Sequence, residues 1–247
     1  MRVGIHQPNF LPWLGYFYKL MLAERFVFLD IVQYSKNSFI NRNRIKTPQG
    51  PSWLTVPVRA KGRFGQSIGE VEIVWDADWR RKHLNSLVAN YGRAPFFEEV
   101  FPQIQLEYRK VGPGTLLAEF NISLAQQICA YLGLNPQFVR ARDLKVEGTD
   151  TALLVSICKS VGASRYLAGG GAVKYQADEQ FASAGIEVEY SRFRGQPYPQ
   201  VWNGFVENLS IVDALMNCGR ATRDLLSPPP GTEGVSEKFC YPESPAT

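Results

Sequence analysis

Two short apolar runs separated by one helix-length segment constrain this chain more than any other feature. Residues 2–6 read as a buried strand, the turn Gln-Pro-Asn-Phe-Leu-Pro-Trp follows, and residues 26–32 read as a second buried strand. Between them, Leu14, Phe17, Tyr18, Met21 and Leu22 share one face of a helix over residues 14–24. A strand, a helix and a strand in that order form a βαβ unit, which requires parallel pairing and a right-handed crossover. An apolar share of 45% supplies the core that such a layered fold needs.

The same rhythm returns late in the chain. Residues 137–140 read as a strand, 151–160 as a helix, 165–167 as a strand ending in Gly169-Gly170-Gly171, 178–184 as a helix and 187–190 as a strand. Helices are expected over 78–91, 96–110 and 115–132, with Gly133 as a C-cap, and a last one over 208–217. Residues 41–75 differ in character: Trp53-Leu-Thr-Val-Pro-Val58 is rich in strand formers, and Val71, Ile73 and Trp75 alternate with polar neighbours. The expected fold is therefore α/β and Rossmann-like: a mostly parallel sheet with helices on both faces and a small antiparallel β insertion at 41–75. One domain should span 1–226, with a loosely held tail rich in Pro, Gly, Ser and Glu over 227–247.

Charge and cysteine usage narrow the function. The 27 Lys+Arg against 23 Asp+Glu leave a net charge of +4, too little for a binder of nucleic acid and suited to a small anionic substrate. Two histidines and four cysteines without C-x-x-C spacing suggest no metal site and no redox motif. Prolines at 8 and 12 interrupt any signal-peptide core, and no apolar run reaches membrane-spanning length, so a cytoplasmic protein with reduced thiols and no membrane partner is expected.

Ligands of open α/β sheets bind at the carboxyl ends of the strands. His6, Gln7 and Asn9 leave the first strand there, and Asp30, Gln33, Tyr34 and Lys36 leave the second. Asn41, Arg42, Asn43, Arg44 and Lys46 follow, and the glycine turn at Gly169 and Gly170 leaves a later strand. An imidazole at His6 suits general acid–base chemistry, and the cations suit a phosphate or carboxylate. Each residue also has a structural reading. His6 would look the same if it only capped a strand, and Arg42, Arg44 and Lys46 alternate as a solvent-facing strand does. Cys158 reads as a core thiol and His83 as a helix-surface residue, while the three glycines match no phosphate-loop pattern.

Several strings carry a resemblance. They are His6-Gln-Pro-Asn-Phe-Leu-Pro-Trp-Leu-Gly-Tyr-Phe, Leu29-Asp-Ile-Val-Gln-Tyr-Ser-Lys36, Asn41-Arg-Asn-Arg-Ile-Lys46, Trp53-Leu-Thr-Val-Pro-Val58, Gly162-Ala-Ser-Arg-Tyr-Leu-Ala-Gly169 and Leu209-Ser-Ile-Val-Asp213. Together they make residues 1–219 similar to the WbqC-like protein family, which is associated with bacterial surface-polysaccharide and specialised-metabolite genes. The resemblance implies a transferase that places a small acyl or aminoacyl group on an amine. In that reading His6 is the base, Gln33 and Asn41 stabilise an oxyanion, and Arg42 and Lys46 hold a phosphate. Gln7, Asn9, Asp30, Tyr34, Lys36, Gly169 and Gly170 complete the substrate site. The donor would be CoA or a phosphopantetheine arm on an acyl or peptidyl carrier protein. Where the family often has Ser-Gly, this chain has Ala168-Gly169, which removes a hydroxyl. A fainter similarity, to the adenylyl-transferring and class I synthetase superfamily, leaves nucleotide-dependent activation open, although Gln7-Pro-Asn replaces the second half of their His-x-Gly-His motif. A ligand-binding module without catalysis is the third reading.

Overall fold

A computed structural model describes residues 1–169 and 177–227. Five strands form one all-parallel sheet in the order β5-β2-β1-β6-β7. They are β1 (Arg2–His6), β2 (Arg25–Phe28), β5 (Gln137–Arg140), β6 (Arg165–Gly169) and β7 (Glu187–Ser191). Between β2 and β5 lies the antiparallel hairpin of β3 (Arg42–Thr47) and β4 (Gly50–Thr55). Helix α1 (Leu14–Leu22) completes the first βαβ unit, but it buries Leu14, Tyr16, Phe17, Lys19 and Leu20, so Tyr18, Met21 and Leu22 of the expected apolar face are only half-buried. Helices α2 (Trp79–Tyr91), α3 (Phe97–Arg109) and α4 (Leu117–Leu132) follow the hairpin. Helices α5 (Asp150–Ser160) and α6 (Asp178–Ser183) flank β6, and α7 (Ile211–Cys218) closes the fold.

Helices cover both faces of the sheet, and the strands show why. In β2, Phe26 and Phe28 enter one apolar core with α1, α4 and α7, while Val27 enters the other with α5 and α6. Gly4 of β1 faces the first core, where a Cβ would come within 3.0 Å of the Phe26 ring. Among the described residues no helix is long and apolar enough to cross a membrane.

Helix ends fall close to their expected places. Gly133 adopts the left-handed conformation (φ 66°) that ends α4, and Ser210 caps α7 by accepting the Val212 N–H at 3.3 Å. Three expectations are corrected. The second strand stops at Phe28, because Asp30 turns inward to an ion cluster instead of continuing toward Val32. The strand expected at 71–75 is a 3-10 turn over Ile68–Glu70 followed by single bridges, Val58 to Ile73 and Glu72 to Leu116. Val71 and Ile73 do point inward, so the alternation reports a buried face without an extended ladder partner. Finally, α7 starts at Ile211 rather than 208.

Candidate functional site

Counting only the parallel strands in chain order, the sheet reads 3-2-1-4-5, so the order reverses between β1 and β6. At such a reversal the two crossovers leave in opposite directions and open a crevice beyond the carboxyl ends of both strands. β1 ends there at His6 and β6 at Gly169. Their ladder runs from Arg2↔Arg165 to Gly4↔Leu167, and continuing that register sets His6 opposite Gly169.

His6 is held in one tautomer. Its Nδ1 lies 3.0 Å from the Gln7 carbonyl, which can only accept, so Nδ1 carries the proton and Nε2 keeps its lone pair. Nε2 has no hydrogen-bond partner among the described residues, and the side chain is partly exposed. The Tyr16 ring packs edge-on against the imidazole at 4.7 Å, and its hydroxyl donates to the same Gln7 carbonyl at 3.1 Å. Burial first, and then the nearby Lys19 charge, lower the His6 pKa to about 4 against the opposing pull of the Gln7 carbonyl. The imidazole is therefore neutral through the physiological range, a base that returns any proton readily.

Lys19 is a residue that the pattern of the chain did not single out. It is only 3% exposed, and its Nζ donates to the Ile5 carbonyl at 2.7 Å, just past the last paired residues of β1 and β6. Burial lowers its pKa to about 7. Its signal was present: a lysine inside the otherwise apolar helix Leu-Gly-Tyr-Phe-Tyr-Lys-Leu-Met-Leu needs a partner within the fold.

Buried amides fix the loop after β1. Asn121 of α4 donates to the carbonyls of Pro8 and Ile40, each at 2.8 Å, and Asn43 donates to the Leu11 carbonyl at 2.7 Å. Asn41 donates to the Val56 carbonyl at 3.1 Å, which makes it a tie between segments rather than a group beside His6. Gln33 is exposed and meets Ser67 through a backbone bridge. Gln7 and Asn9 are half-buried in the loop next to His6.

The cations separate into three environments. Asp30 is fully buried and paired with Arg140 at 2.9 Å and Arg142 at 3.2 Å, so its carboxylate is occupied. Lys46 is 1% exposed, and its Nζ donates to Gln200 Oε1 at 3.0 Å and to the Trp202 and Gly204 carbonyls. That lysine borders a network missed in the sequence: Tyr91 and Tyr198 donate to opposite oxygens of the buried Asp213, each at 2.8 Å. Burial raises the Asp213 pKa, while the two hydroxyls and Lys46 oppose the rise. Like Lys19, Asp213 stands in an apolar helix, and that was its signal. Arg42 and Arg44 lie half-buried on the outer face of the hairpin, Arg42 within electrostatic reach of Tyr34, with Lys36 exposed.

The remaining expectations divide. Cys158 is a buried core thiol, its pKa raised to about 12 by burial. His83 is corrected from helix surface to core: it is 6% exposed, with Nε2 on the Thr55 carbonyl at 3.1 Å and Nδ1 facing the Tyr108 hydroxyl at 3.2 Å. Gly169 closes β6, whereas Gly170 and Gly171 lie outside the described residues, as does the tail beyond Ser227. Among the described residues no three His, Cys, Asp or Glu side chains are placed to hold a metal ion.

The uncharacterized protein Rv1507c of Mycobacterium tuberculosis (strain ATCC 25618 / H37Rv) is 36% identical over 229 residues, which cover 91% of this chain and 97% of that protein. No solved structure matches the chain. The WbqC-like family profile matches residues 7–225, a span that holds the loop after β1, the hairpin and every strand of the sheet but β1. The chain belongs to the WbqC-like protein family.

Proposed function

We propose that this protein is a transferase that moves a small acyl or aminoacyl group from a CoA or carrier-bound thioester onto an amine, in sugar or specialised-metabolite biosynthesis. The observation that supports it is a neutral imidazole, locked as the Nδ1–H tautomer, at the reversal point of the strand order. In this reading Nε2 of His6 takes the proton of the attacking amine, the new C–N bond forms, and the C–S bond breaks. The same proton then leaves with the thiolate as a thiol, which a weakly basic imidazole favours. Asn41 is tied to the Val56 carbonyl and Gln33 bridges Ser67, and neither shares a hydrogen bond with His6, so this reading assigns neither of them an oxyanion role.

A second reading is supported by the strand order itself. A 3-2-1-4-5 sheet with a histidine ending its first strand also suits nucleotide-dependent activation. Melting temperatures measured with CoA, ATP and CTP, with and without magnesium, separate the two. A rise with CoA alone supports thioester chemistry, and a magnesium-dependent rise with a triphosphate supports activation. His6→Ala should abolish turnover, at least about a hundredfold, with little change in melting temperature. Retained turnover in a destabilised variant defeats the role of His6. Ligand binding that survives the substitution, with no turnover by wild type on any donor, leaves a binding module.

A further inference from the structure

Arginines near the hairpin find acids wherever the fold offers them. Arg59 pairs with Glu72 and Asp76, and Arg63 pairs with Glu72. Arg42 and Arg44 are the exceptions: among the described residues neither has an ion-pair partner or a side-chain hydrogen bond. Both side chains project from the outer face of β3, opposite the inward Asn43 and Ile45. Alternate residues of a strand lie roughly 7 Å apart, so the two like charges are close neighbours.

What holds them is aromatic. The Arg42 guanidinium carbon sits 4.3 Å from the Trp53 ring centroid, and that of Arg44 sits 5.7 Å from it. Trp53 is 37% exposed and leans on Phe39, with ring centroids 6.1 Å apart. Stacking on an indole orients a guanidinium but does not satisfy its N–H groups. The Nε atoms of both arginines are buried with no acceptor, and the Tyr34 hydroxyl, within electrostatic reach of Arg42, is buried and unpaired as well. Two oriented forks and one hydroxyl, with no carboxylate among the described residues, make an arrangement that an incoming anion would complete.

We propose that Arg42 and Arg44, stacked on Trp53 and flanked by Tyr34, form a binding site for a phosphoryl dianion on the outer face of the hairpin. Planar forks favour tetrahedral oxyanions with several acceptor oxygens, and the spacing of the pair suits a diphosphate spanning both. The site stands apart from His6 chemistry, because these side chains face away from Asn43, which ties the hairpin to the loop after β1. Lys46, expected to share the phosphate with Arg42, is instead buried in the Gln200–Gly204 segment, and Arg44 takes its place.

The test is calorimetric titration of inorganic phosphate, pyrophosphate and ADP into the full chain. Wild type should bind pyrophosphate. Arg42→Gln and Arg44→Gln should each weaken it by about tenfold, and the double variant should abolish it. The double Arg→Lys variant keeps the charge but loses the forks, and should fall between. ADP binding much tighter than pyrophosphate marks a nucleotide as the source of the phosphoryl groups, and equal binding marks the diphosphate alone. Pyrophosphate should also shift the arginine Nε–H signals of wild type in nuclear magnetic resonance spectra, a readout that needs no variant to fold. His6→Ala should bind pyrophosphate as wild type does, which separates this site from the proposed reaction. No binding by wild type at millimolar anion, unchanged binding in the double glutamine variant, or arginine-dependent binding of polyglutamate without pyrophosphate each overturns the proposal.

Discussion

Two pairs of arginines, each spaced two residues apart, have contrasting surroundings. Arg140 and Arg142 converge on Asp30, which is fully buried between them, and Arg142 also donates to the Gly69 carbonyl at 2.8 Å. Arg42 and Arg44 converge on an indole and, among the described residues, meet no carboxylate. The first pair ties the end of β2 to the end of β5 and is complete within the fold. The second leaves its anion to be supplied from outside. Position in the chain cannot distinguish such pairs, because the deciding atom arrives from a distant segment.

The two histidines repeat the contrast. His83 uses both ring nitrogens inside the core, whereas His6 uses one and leaves the other free among the described residues. Equal depression of their pKa values therefore does not mean equal roles.

These contrasts can be broken experimentally, beginning with the finished pair. Asp30→Asn strands two arginines at a buried site and should cost about 3–5 kcal/mol in chemical denaturation. A loss below about 1 kcal/mol would mean that the cluster does not hold β2 to β5. Next in size is a pH effect. Both histidines lie near 4 in the fold against 6.5 when unfolded, so between those values the unfolded chain holds more protons. The histidine contribution should be complete above pH 6.5, fall on acidification toward 4, and level off below, while buried Lys19, lowered to about 7 from 10.5, adds a separate rise in stability above pH 7. His83→Gln should remove about half of the histidine slope, read from denaturation midpoints across the window. The smallest effect belongs to the unfinished pair. Arg42→Gln with Arg44→Gln should change stability by no more than about 0.5 kcal/mol, in either direction, while removing pyrophosphate binding. A large loss of stability would make that pair structural too.

Much of the fold was legible because it rests on local periodicity. The first βαβ unit, helices α2 to α4 and the βα alternation after residue 137 all follow from apolar spacing and caps. What stayed hidden depends on partners far away in sequence. Asp30 looks like an exposed site residue until Arg140 and Arg142 arrive, and Lys46 looks like surface until Gln200 and Gly204 cover it. His83 sits in a run of basic residues, yet Thr55 and Tyr108 enclose it. The candidate site was legible at His6 because it ends the first strand. Lys19 and Asp213 stand in helices that are apolar on nearly every side, where spacing marks no single face, so apolar periodicity is silent on the one charge each helix buries.

The central place of β1 has a consequence in time. β2 follows β1 after a single helix and can pair with it early. Its other edge stays open until β6 is made, and the N-terminal ammonium reaches Ser164 Oγ, at 2.8 Å, across 163 residues of chain. Such distant pairing slows folding and leaves an unpaired strand edge on the nascent chain meanwhile. The crevice at His6 thus comes into being only when β6 joins the open edge of β1 and the two halves of the sheet meet.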